Sequence, residues 1–146
     1  MPDNLIAKAE TKINTPVDLV WDALVNPDTI KKYMFGTTVS SDWKKGSSIS
    51  WKGEWQGKAY EDKGQILDIV PGKKLSYSHF SPLSGLKDAP ENYHTVTIDL
   101  GGKDNQTLIS LTQDKNESEE AREHSQKNWT MMLESLKKLL EESNKQ

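Results

Sequence analysis

The sequence predicts an α+β fold in which an antiparallel sheet carries its helices on one face. Two observations lead to this class. Strand patterns follow one another through residues 48–113, separated by segments rich in glycine, proline and polar residues. The helical patterns lie before and after this region, in residues 16–36 and 118–142. Consecutive strands with helices gathered at the two ends are typical of α+β domains, whereas α/β domains alternate the two element types.

The N-terminal region predicts one strand and two short helices. Residues 5–13 alternate apolar and charged side chains, as a half-buried strand does. Thr15 is expected to cap the helix that follows, with Pro16 in its first turn and Pro27 at its end. Residues 27–36 then predict a second short helical segment that ends at a glycine.

The central region predicts about five strands of uneven regularity. Residues 48–55 alternate clearly, whereas residues 59–70 have no clean parity, and Gly64 predicts a bulge or bend there. Residues 101–106 are interpreted as a hairpin connection, because they open no helix and lack the Gly-Lys-Ser/Thr ending of a phosphate loop. Alternation returns in residues 75–80, 93–100 and 107–113.

The C-terminal segment predicts a long amphipathic helix that runs to about residue 142. Asn116 or Ser118 is expected to cap it, and Glu119 and Glu120 place acidic groups in the first turn, where the helix dipole favours them. Such a helix needs an apolar surface to cover, and we expect the sheet to supply it. Its apolar stripe consists of Ala121, Trp129, Met132, Leu133, Leu136 and Leu140.

Composition narrows the possible functions. The 146 residues include no cysteine, which excludes disulfides, thiolate catalysis and cysteine-ligated zinc and favours a cytoplasmic location. No apolar run approaches the roughly 18 residues that a membrane span needs, so no span is expected. The formal net charge of -3 argues against the neutralisation of many phosphates, and no nucleic-acid partner is expected. The length fits one domain, residues 1–146.

Three blocks of the sequence resemble a known family. Residues 13–36 contain a proline, a Val-Trp-x-Ala-Leu helix, a second proline and an aromatic-rich turn that ends in glycine. Residues 64–79 have a strand, a proline-containing turn and a strand, and residues 128–142 have a helix in which tryptophan is followed by spaced leucines. In this order the blocks resemble AHSA-type domains, homologues of the activator of the heat-shock-protein-ninety ATPase. These domains belong to the START-like, SRPBCC or Bet v-like superfamily.

The resemblance, which extends over residues 5–142, implies a helix-grip fold. In this fold a curved antiparallel sheet of about six or seven strands wraps around the long C-terminal helix. Two short helices follow the first strand, and together with loops they close one end of a cavity between the sheet and the long helix. The resemblance therefore implies a single START-like domain with an internal cavity.

That cavity is the leading candidate for a functional site. Small-ligand sites are mostly apolar, with a few polar groups that orient the ligand. Each candidate residue could equally fill the core, since any packed amphipathic element shows the same pattern. The candidates are Trp21, Tyr33, Met34, Phe35, Trp51, Trp55, Tyr77, His79, His94, Val96, Ile98, Trp129, Met132, Leu133 and Leu136.

The histidines raise the question of chemistry. His79 and His94 flank the loop at residues 81–92, so antiparallel pairing could bring them together at the mouth of the sheet. They could act as acid, base or hydrogen-bond donor, or have an ordinary structural role. The sequence names no nucleophile or orienting partner for them, so no catalytic residue is assigned. Because His79, His94 and His124 lack metal-ligand spacing, no metal or cofactor is expected.

Three functions follow from these observations. The leading one is non-catalytic binding of a small hydrophobic or aromatic molecule, such as a lipid or polyphenol, with residues 33–35 as an inward-facing lid. The second is a protein-interaction module for a chaperone or another protein, in which residues 33–35 form an apolar anchor beside Lys31 and Lys32. The third is an enzyme such as a cyclase, dehydratase or hydrolase, since related helix-grip folds include such activities.

Overall fold

The computed structural model describes residues 5–34, 36–55, 57–81, 87–89, 92–116 and 118–143, without the side chains of Trp55, Lys58 and Ser143. Its elements, in chain order, are β1 (Leu5–Ile13), α1 (Val17–Val25), α2 (Pro27–Tyr33), β2 (Thr38–Ser41), β3 (Ser48–Trp55), β4 (Lys58–Val70), β5 (Lys74–His79), β6 (His94–Lys103), β7 (Gln106–Asn116) and α3 (Glu119–Ser143).

The strands form one antiparallel seven-stranded sheet in the order β1-β7-β6-β5-β4-β3-β2. The long helix α3 packs along β1 and β7, and α1 and α2 follow the first strand. The predicted α+β class and helix-grip arrangement are therefore confirmed. None of the helices in the described ranges is both long enough and apolar enough to cross a membrane.

The start of α1 differs from the prediction. Pro16 occupies the N-cap position, and no side chain caps the helix. Thr15 does not act as the cap because its side chain is buried in the core, where its exposed fraction is 1%. Its carbonyl oxygen accepts a hydrogen bond of 2.8 Å from Thr107 Oγ1 of β7. The threonine therefore ties the chain to the sheet.

The helix α3 is capped and packed as its sequence predicts. Ser118 Oγ accepts a hydrogen bond of 3.1 Å from the backbone N–H of Ala121, so Ser118 is the cap. Met132, Leu133 and Leu136 are buried in the core that α3 shares with the sheet. The apolar stripe therefore holds the helix on the concave face.

Side chains of α3 also satisfy backbone groups of the edge strand β1. The backbone N–H of Asn14, directly after β1, donates to Glu141 Oε2 at 2.9 Å, and Lys137 Nζ donates to the carbonyl oxygen of Lys12 at 2.8 Å. Unpaired strand edges can pair with other chains, and native proteins often cover them. The helix thus covers part of this edge as well as the apolar face.

The strand β4 is irregular, but not where the sequence predicts. The register of β4 and β5 shifts between Ile66 and Asp68, so the predicted bulge at Gly64 is misplaced. Gly64 has a different role, because a Cβ there would overlap the backbone carbonyl of Ser78 on β5. The absence of a side chain lets the two backbones approach closely.

The hairpin between β6 and β7 is confirmed, and its turn residues Asp104 and Asn105 have φ of 52° and 65°. Positive φ at both central residues is typical of the tight turns that suit twisted hairpins.

The strand β2 was not predicted, because a segment of four residues carries too little alternation to be recognised.

Candidate functional site

An open cleft lies on the concave face of the sheet beside α3. The helix α3 packs mainly along β1 and β7, at one edge of the sheet, whereas β3, β4 and β5 lie toward the other edge. A cavity of about 350 Å³, here called the Asp62 compartment, lies at these three strands. It is lined by Met34, Thr37, Trp51, Tyr60, Asp62, Tyr77, His79, Ser81 and Trp129.

A second cavity continues the first toward α3. This space of about 290 Å³, here called the Gln113 compartment, shares Met34, Thr37, Tyr60 and Trp129 with the Asp62 compartment. The two compartments therefore adjoin, and together they are here called the cleft. The other residues that line the second compartment are Glu54, Gln113, Ser125, Asn128 and Met132.

Strand alternation places the aromatic rings on the concave face. Trp51 of β3 is paired with Asp62 of β4, and Ile66 of β4 is paired with Tyr77 of β5. Paired residues of antiparallel strands point to the same face, and His79 follows Tyr77 by two residues, so it shares that face. The ring centroids of Trp51 and Tyr77 are 5.1 Å apart, within the range of favourable aromatic pairs. The rings form one wall of the Asp62 compartment.

Tyr60 reaches the cleft because its cross-strand partner is a glycine. Gly53 of β3 pairs with Tyr60 of β4, and a Cβ on Gly53 would overlap the Tyr60 hydroxyl. The ring occupies the space that a side chain at Gly53 would fill. Its hydroxyl oxygen lies 2.7 Å from Thr37 Oγ1, which holds the ring at the boundary of the two compartments.

Asp62 and His79 form a polar pair within the aromatic wall. His79 Nε2 lies 2.9 Å from Asp62 Oδ2, and the two side chains are 25% and 17% exposed. The indole ring of Trp51 meets the imidazole edge to face at a centroid distance of 5.0 Å. Asp62 Oδ1 is buried and has no hydrogen-bond partner within the part of the chain that the structure describes. A buried acceptor without a donor is costly, so hydrogen bonding in the cleft wall is incomplete at Asp62.

Two buried phenols sit beneath the cleft. Burial raises the pKa of Tyr33 and of Tyr77 well above 10, and the neighbouring Tyr77 raises the pKa of Tyr33 further. The Tyr33 hydroxyl donates to the carbonyl oxygen of Ala23 at 3.0 Å. Both rings stay neutral near pH 7 and behave as apolar walls.

The charged side chains of the cleft are acidic. Asp62 lies in one compartment and Glu54 in the other, and the described lining residues include no lysine or arginine. In the described ranges no group of His, Asp or Glu is arranged to hold a metal ion. Since like charges repel and a carboxylate attracts cations, the cleft favours neutral or cationic molecules over anions.

The predicted cavity residues fall into several places. Val96, Ile98, Leu133 and Leu136 are buried in the core, Tyr33 is buried beneath the cleft, and Trp21 is half-buried against the core. Phe35 and the side chain of Trp55 lie outside what the structure describes. A ligand contact for any of these residues stays a prediction. The cleft itself brings together Met34, Trp51, Tyr77, His79, Trp129 and Met132.

The lid prediction is partly resolved. Tyr33 points inward, and Lys31 and Lys32 are exposed, as expected. Met34 is half-buried and lines both compartments, so it is the member of this segment that reaches the cleft.

The predicted pairing of His79 with His94 is confirmed, because the two are direct partners in the register of β5 and β6. Their surroundings differ. His79 pairs with Asp62 inside the cleft, whereas His94 Nδ1 lies 2.9 Å from the carbonyl oxygen of Asp114 on β7. Only His79 is among the described residues that line the cleft.

Sequence reasoning missed several cleft residues. Tyr60 and Asp62 lie in the strand without clean parity, so its face toward the cavity was not assigned. Thr37 lies just before the unpredicted strand β2, and Gln113 lies at the end of a predicted strand. Gln113 Oε1 accepts a hydrogen bond from Trp129 Nε1 and thereby positions the indole. A sequence signal was Gly53 within an alternating strand, since such a glycine often marks a site where another group approaches closely.

Comparisons with known proteins agree with this architecture. Among curated protein sequences there is no significant match. ChR145 from Cytophaga hutchinsonii is 59% identical, its structure has a TM-score of 0.86, and the match covers 98% of each chain. The structure of MLL2253 from Mesorhizobium loti shares the fold at 20% identity, with a TM-score of 0.77 over 95% of this chain and 98% of that one.

The Aha1 dimer from Colwellia psychrerythraea also shares the fold, at 22% identity and a TM-score of 0.71 over 92% of this chain and 95% of that one. The family model described as Activator of Hsp90 ATPase homolog 1-like protein matches residues 14–141. This match covers most of the chain and includes both walls of the cleft. The chain therefore belongs to the Activator of Hsp90 ATPase homolog 1-like (AHSA1) family.

Proposed function

We propose that this chain binds a small, mostly apolar molecule with an aromatic body, of the lipid or polyphenol type, in the cleft between the sheet and α3. The observation that carries the proposal is the presence of two adjoining compartments that share Tyr60 and Trp129 in their walls. Ligand cavities typically measure about 300–1,000 Å³ and are apolar with a few polar groups. The Asp62 compartment, at about 350 Å³, lies in that range. Membership of the family supports a ligand-binding or interaction module in general.

The lining residues suit such a ligand. Trp51 and Tyr77 line the Asp62 compartment, and aromatic side chains suit contact with a planar molecule. Met34 lines both compartments, and its unbranched, polarizable chain adapts to different shapes. Asp62 and Gln113 lie in separate compartments and would orient polar groups of the ligand. We infer that residues 1–146 act as one START-like domain that binds without chemistry.

The proposal is tested by titrating the isotope-labelled protein with a library of polyphenols and lipids while recording chemical shifts. We expect saturable shifts at Trp51, Tyr60 and Trp129 with at least one library class. Saturable shifts confined to residues far from the cleft, or no saturable shift with any compound, would contradict the proposal.

Two tryptophan variants distinguish the loss of a ligand contact in the cleft from a general loss of stability. Trp129 lines both compartments, whereas Trp21 is half-buried against the core and is not among the described cleft residues. Trp129→Leu should weaken binding several-fold, since an aromatic pair contributes about 0.5–1.5 kcal/mol beyond its buried area. Trp21→Leu should leave the affinity unchanged even if it lowers stability, which would end the prediction that Trp21 contacts the ligand. A loss of affinity equal to that of Trp129→Leu would instead place Trp21 at the ligand.

An enzyme remains a second candidate because of one observation. That alternative requires a polar group beside one of the histidines in the cavity, and Asp62 is such a group for His79. A carboxylate that holds an imidazole in one orientation is a common element of acid–base sites. The test is turnover of a bound compound by the wild type and by His79→Ala. Conversion that depends on His79 would replace the binding proposal with a catalytic one.

The interaction-module alternative loses one of the three residues of its proposed anchor, whereas Met34 is half-buried and Phe35 lies outside what the structure describes. Tyr33 is 2% exposed and donates its hydroxyl hydrogen bond inside the protein, so it is not presented to a partner. An affinity capture from native lysate remains its test. Stoichiometric recovery of one chaperone, abolished by Lys31→Glu together with Lys32→Glu, would favour it.

A further inference from the structure

We propose that the cleft selects a protonated arylalkyl amine and that Asp62 binds its ammonium group. This inference rests on the proposed ligand-binding function and specifies the charge of the ligand. It is carried by three features that meet at Asp62 in the described part of the chain: an unpartnered carboxylate oxygen, a surround of aromatic rings, and a set of lining residues in which His79 is the sole basic side chain.

The carboxylate has unused capacity to accept hydrogen bonds. His79 occupies Oδ2, and Oδ1 is buried without a partner in the described part of the chain. Because the Asp62 side chain lines the compartment and is 17% exposed, a ligand can approach it. The terminal torsion of an aspartate is soft, so a small rotation turns an oxygen toward a donor in the cleft. An ammonium group brings three donors and no acceptor, which suits a site that offers acceptors.

The rings beside Asp62 stabilise a positive charge. Trp51 is the cross-strand partner of Asp62, a position that brings side chains to about 4.5–5.5 Å between Cβ atoms. A cation within about 6 Å of an aromatic ring centroid is attracted by the negative face of the ring, most strongly for tryptophan. Tyr60 and Tyr77 add further rings to the same compartment. A cation bound by Asp62 therefore lies among aromatic rings, which also accommodate the aryl part of the ligand.

The same lining disfavours the anionic members of the lipid class. A fatty-acid carboxylate in the cleft would meet Asp62 or Glu54, and no lysine or arginine among the described lining residues would compensate it. A neutral alcohol or phenol could donate to Asp62, but it would lack the charge-assisted hydrogen bond and the attraction to the rings. An amine is thus the ligand class that uses every feature of the compartment.

The first experiment compares three ligands that differ only in their polar end. The wild-type protein is titrated at pH 7 with 2-(2-naphthyl)ethylamine, 2-(2-naphthyl)ethanol and 2-naphthylacetate, and affinities are taken from the indole N–H shifts of Trp51 and Trp129. The amine is protonated at this pH, because alkyl amines resemble the lysine side chain, with a pKa of about 10. We expect the amine to bind about tenfold more tightly than the alcohol, and the carboxylate most weakly.

The second experiment changes the carboxylate. Asp62→Asn should weaken amine binding by about tenfold or more and alter alcohol binding by less than about threefold. Glu61→Gln is the matched control: it removes the same charge from the adjacent residue, whose side chain is 61% exposed and pairs with Lys52. Its affinities should equal those of the wild type.

If Asp62→Asn fails to fold, the wild type still decides the question. Intermolecular nuclear Overhauser effects should connect the methylene group beside the amine nitrogen with the Asp62 Hβ protons. Their absence in a saturated complex, equal affinity for amine and alcohol, or an Asp62→Asn variant with unchanged amine affinity would each overturn the inference. In those cases alcohol binding in the cleft would leave the proposed function standing. No saturable binding of any of the three would overturn the inference, and failure of the wider library as well would overturn the proposed function.

Discussion

The two ends of the concave face are built differently. At the closed end, where α3 packs along β1 and β7, Leu133, Leu136 and Ile109 are at most 1% exposed. At the open end, on β3, β4 and β5, aromatic rings surround Asp62, which keeps a buried oxygen without a partner in the described part of the chain. The closed end thus consists mainly of tightly packed apolar contacts, whereas the open end has a cavity lined by aromatic rings and a carboxylate.

The difference teaches how one sheet serves both stability and binding. Close packing of aliphatic side chains supplies much of the stability of a domain. Departures from complete packing and complete hydrogen bonding concentrate at functional sites, where the rest of the structure compensates for them. We therefore expect stability to depend chiefly on the closed end and ligand binding on the open end. The four predictions below test this division, from the largest expected effect to the smallest.

The largest effect is expected from truncation at the closed end. Leu136 is fully buried, so Leu136→Ala should lower the free energy of unfolding by about 2–5 kcal/mol through lost burial and the cavity left behind. Urea denaturation measures the change. Met131→Ala is the control on the same helix, since Met131 is 52% exposed, and it should change the free energy by less than about 0.5 kcal/mol. Equal losses in the two variants would refute the assignment of stability to this packing.

The next effect concerns the framework of the open end. Gly64→Ala would force a Cβ into the backbone carbonyl of Ser78, so β4 and β5 must separate beside Asp62. We expect a loss of about 1–3 kcal/mol in the free energy of unfolding, the usual cost of overpacking. Gly101→Ala is the control in the same sheet, because its Cβ would meet no atom within 4 Å. A Gly64→Ala protein as stable as Gly101→Ala would mean that the strand spacing is adjustable.

The pH dependence of the free energy of unfolding above pH 10 tests whether the wall of the open end excludes water as fully as the core does. Burial raises the pKa of Tyr33 and Tyr77 above 10, so above pH 10 the unfolded chain loses these protons while the folded chain keeps them. The free energy of unfolding should therefore fall as the pH rises, by about 1.4 kcal/mol per pH unit for each tyrosine.

Single phenylalanine variants assign this slope. Tyr33→Phe serves as the core reference, and Tyr77→Phe reports on the cleft wall. Each should make the decline above pH 10 shallower by the same amount in denaturation measured at a series of pH values. If only Tyr33→Phe changes the slope, water reaches the Tyr77 hydroxyl and the cleft wall is wet.

The smallest expected changes in the free energy of unfolding have opposite signs for valine substitutions at two neighbouring threonines of the closed end. Thr15 Oγ1 is buried without a hydrogen-bond partner among the described residues, so Thr15→Val should raise the free energy of unfolding by about 1 kcal/mol. Thr107 Oγ1 donates to the Thr15 carbonyl oxygen, so Thr107→Val should lower it by about 1 kcal/mol. Thermal or urea denaturation of both variants compares them, and a loss in both would show that the Thr15 hydroxyl is satisfied.

Much of the fold followed from local patterns. The alternation of residues 5–13 and the apolar stripe of α3 both had enough length to reveal their period, and both elements lie where predicted. The parity of residues 48–55 put Trp51 on the cleft face correctly. The same reasoning failed for β4, whose register shift and polar residues hide the alternation that brings Tyr60 and Asp62 to the cleft.

The prediction that Thr15 caps α1 failed for a related reason. Thr15 has the residue type and the position of a cap, but its environment is decided by Thr107, which lies 92 residues further along the chain. Local propensity competes with tertiary contacts, and a side chain drawn into the core cannot also cap a helix. The same contact ties the segment between β1 and α1 to β7.

By itself the sequence determined the class of fold, the helices and the sheet that form it, and the aromatic and methionine residues from which a cleft could be made. These properties depend on periodicity and composition, which act over a few residues. Only the tertiary structure decided along which strands α3 packs and that His79, besides pairing with His94, contacts Asp62. It also decided that one buried oxygen of Asp62 has no donor among the described residues. Such features depend on contacts between distant strands, and no local pattern encodes them.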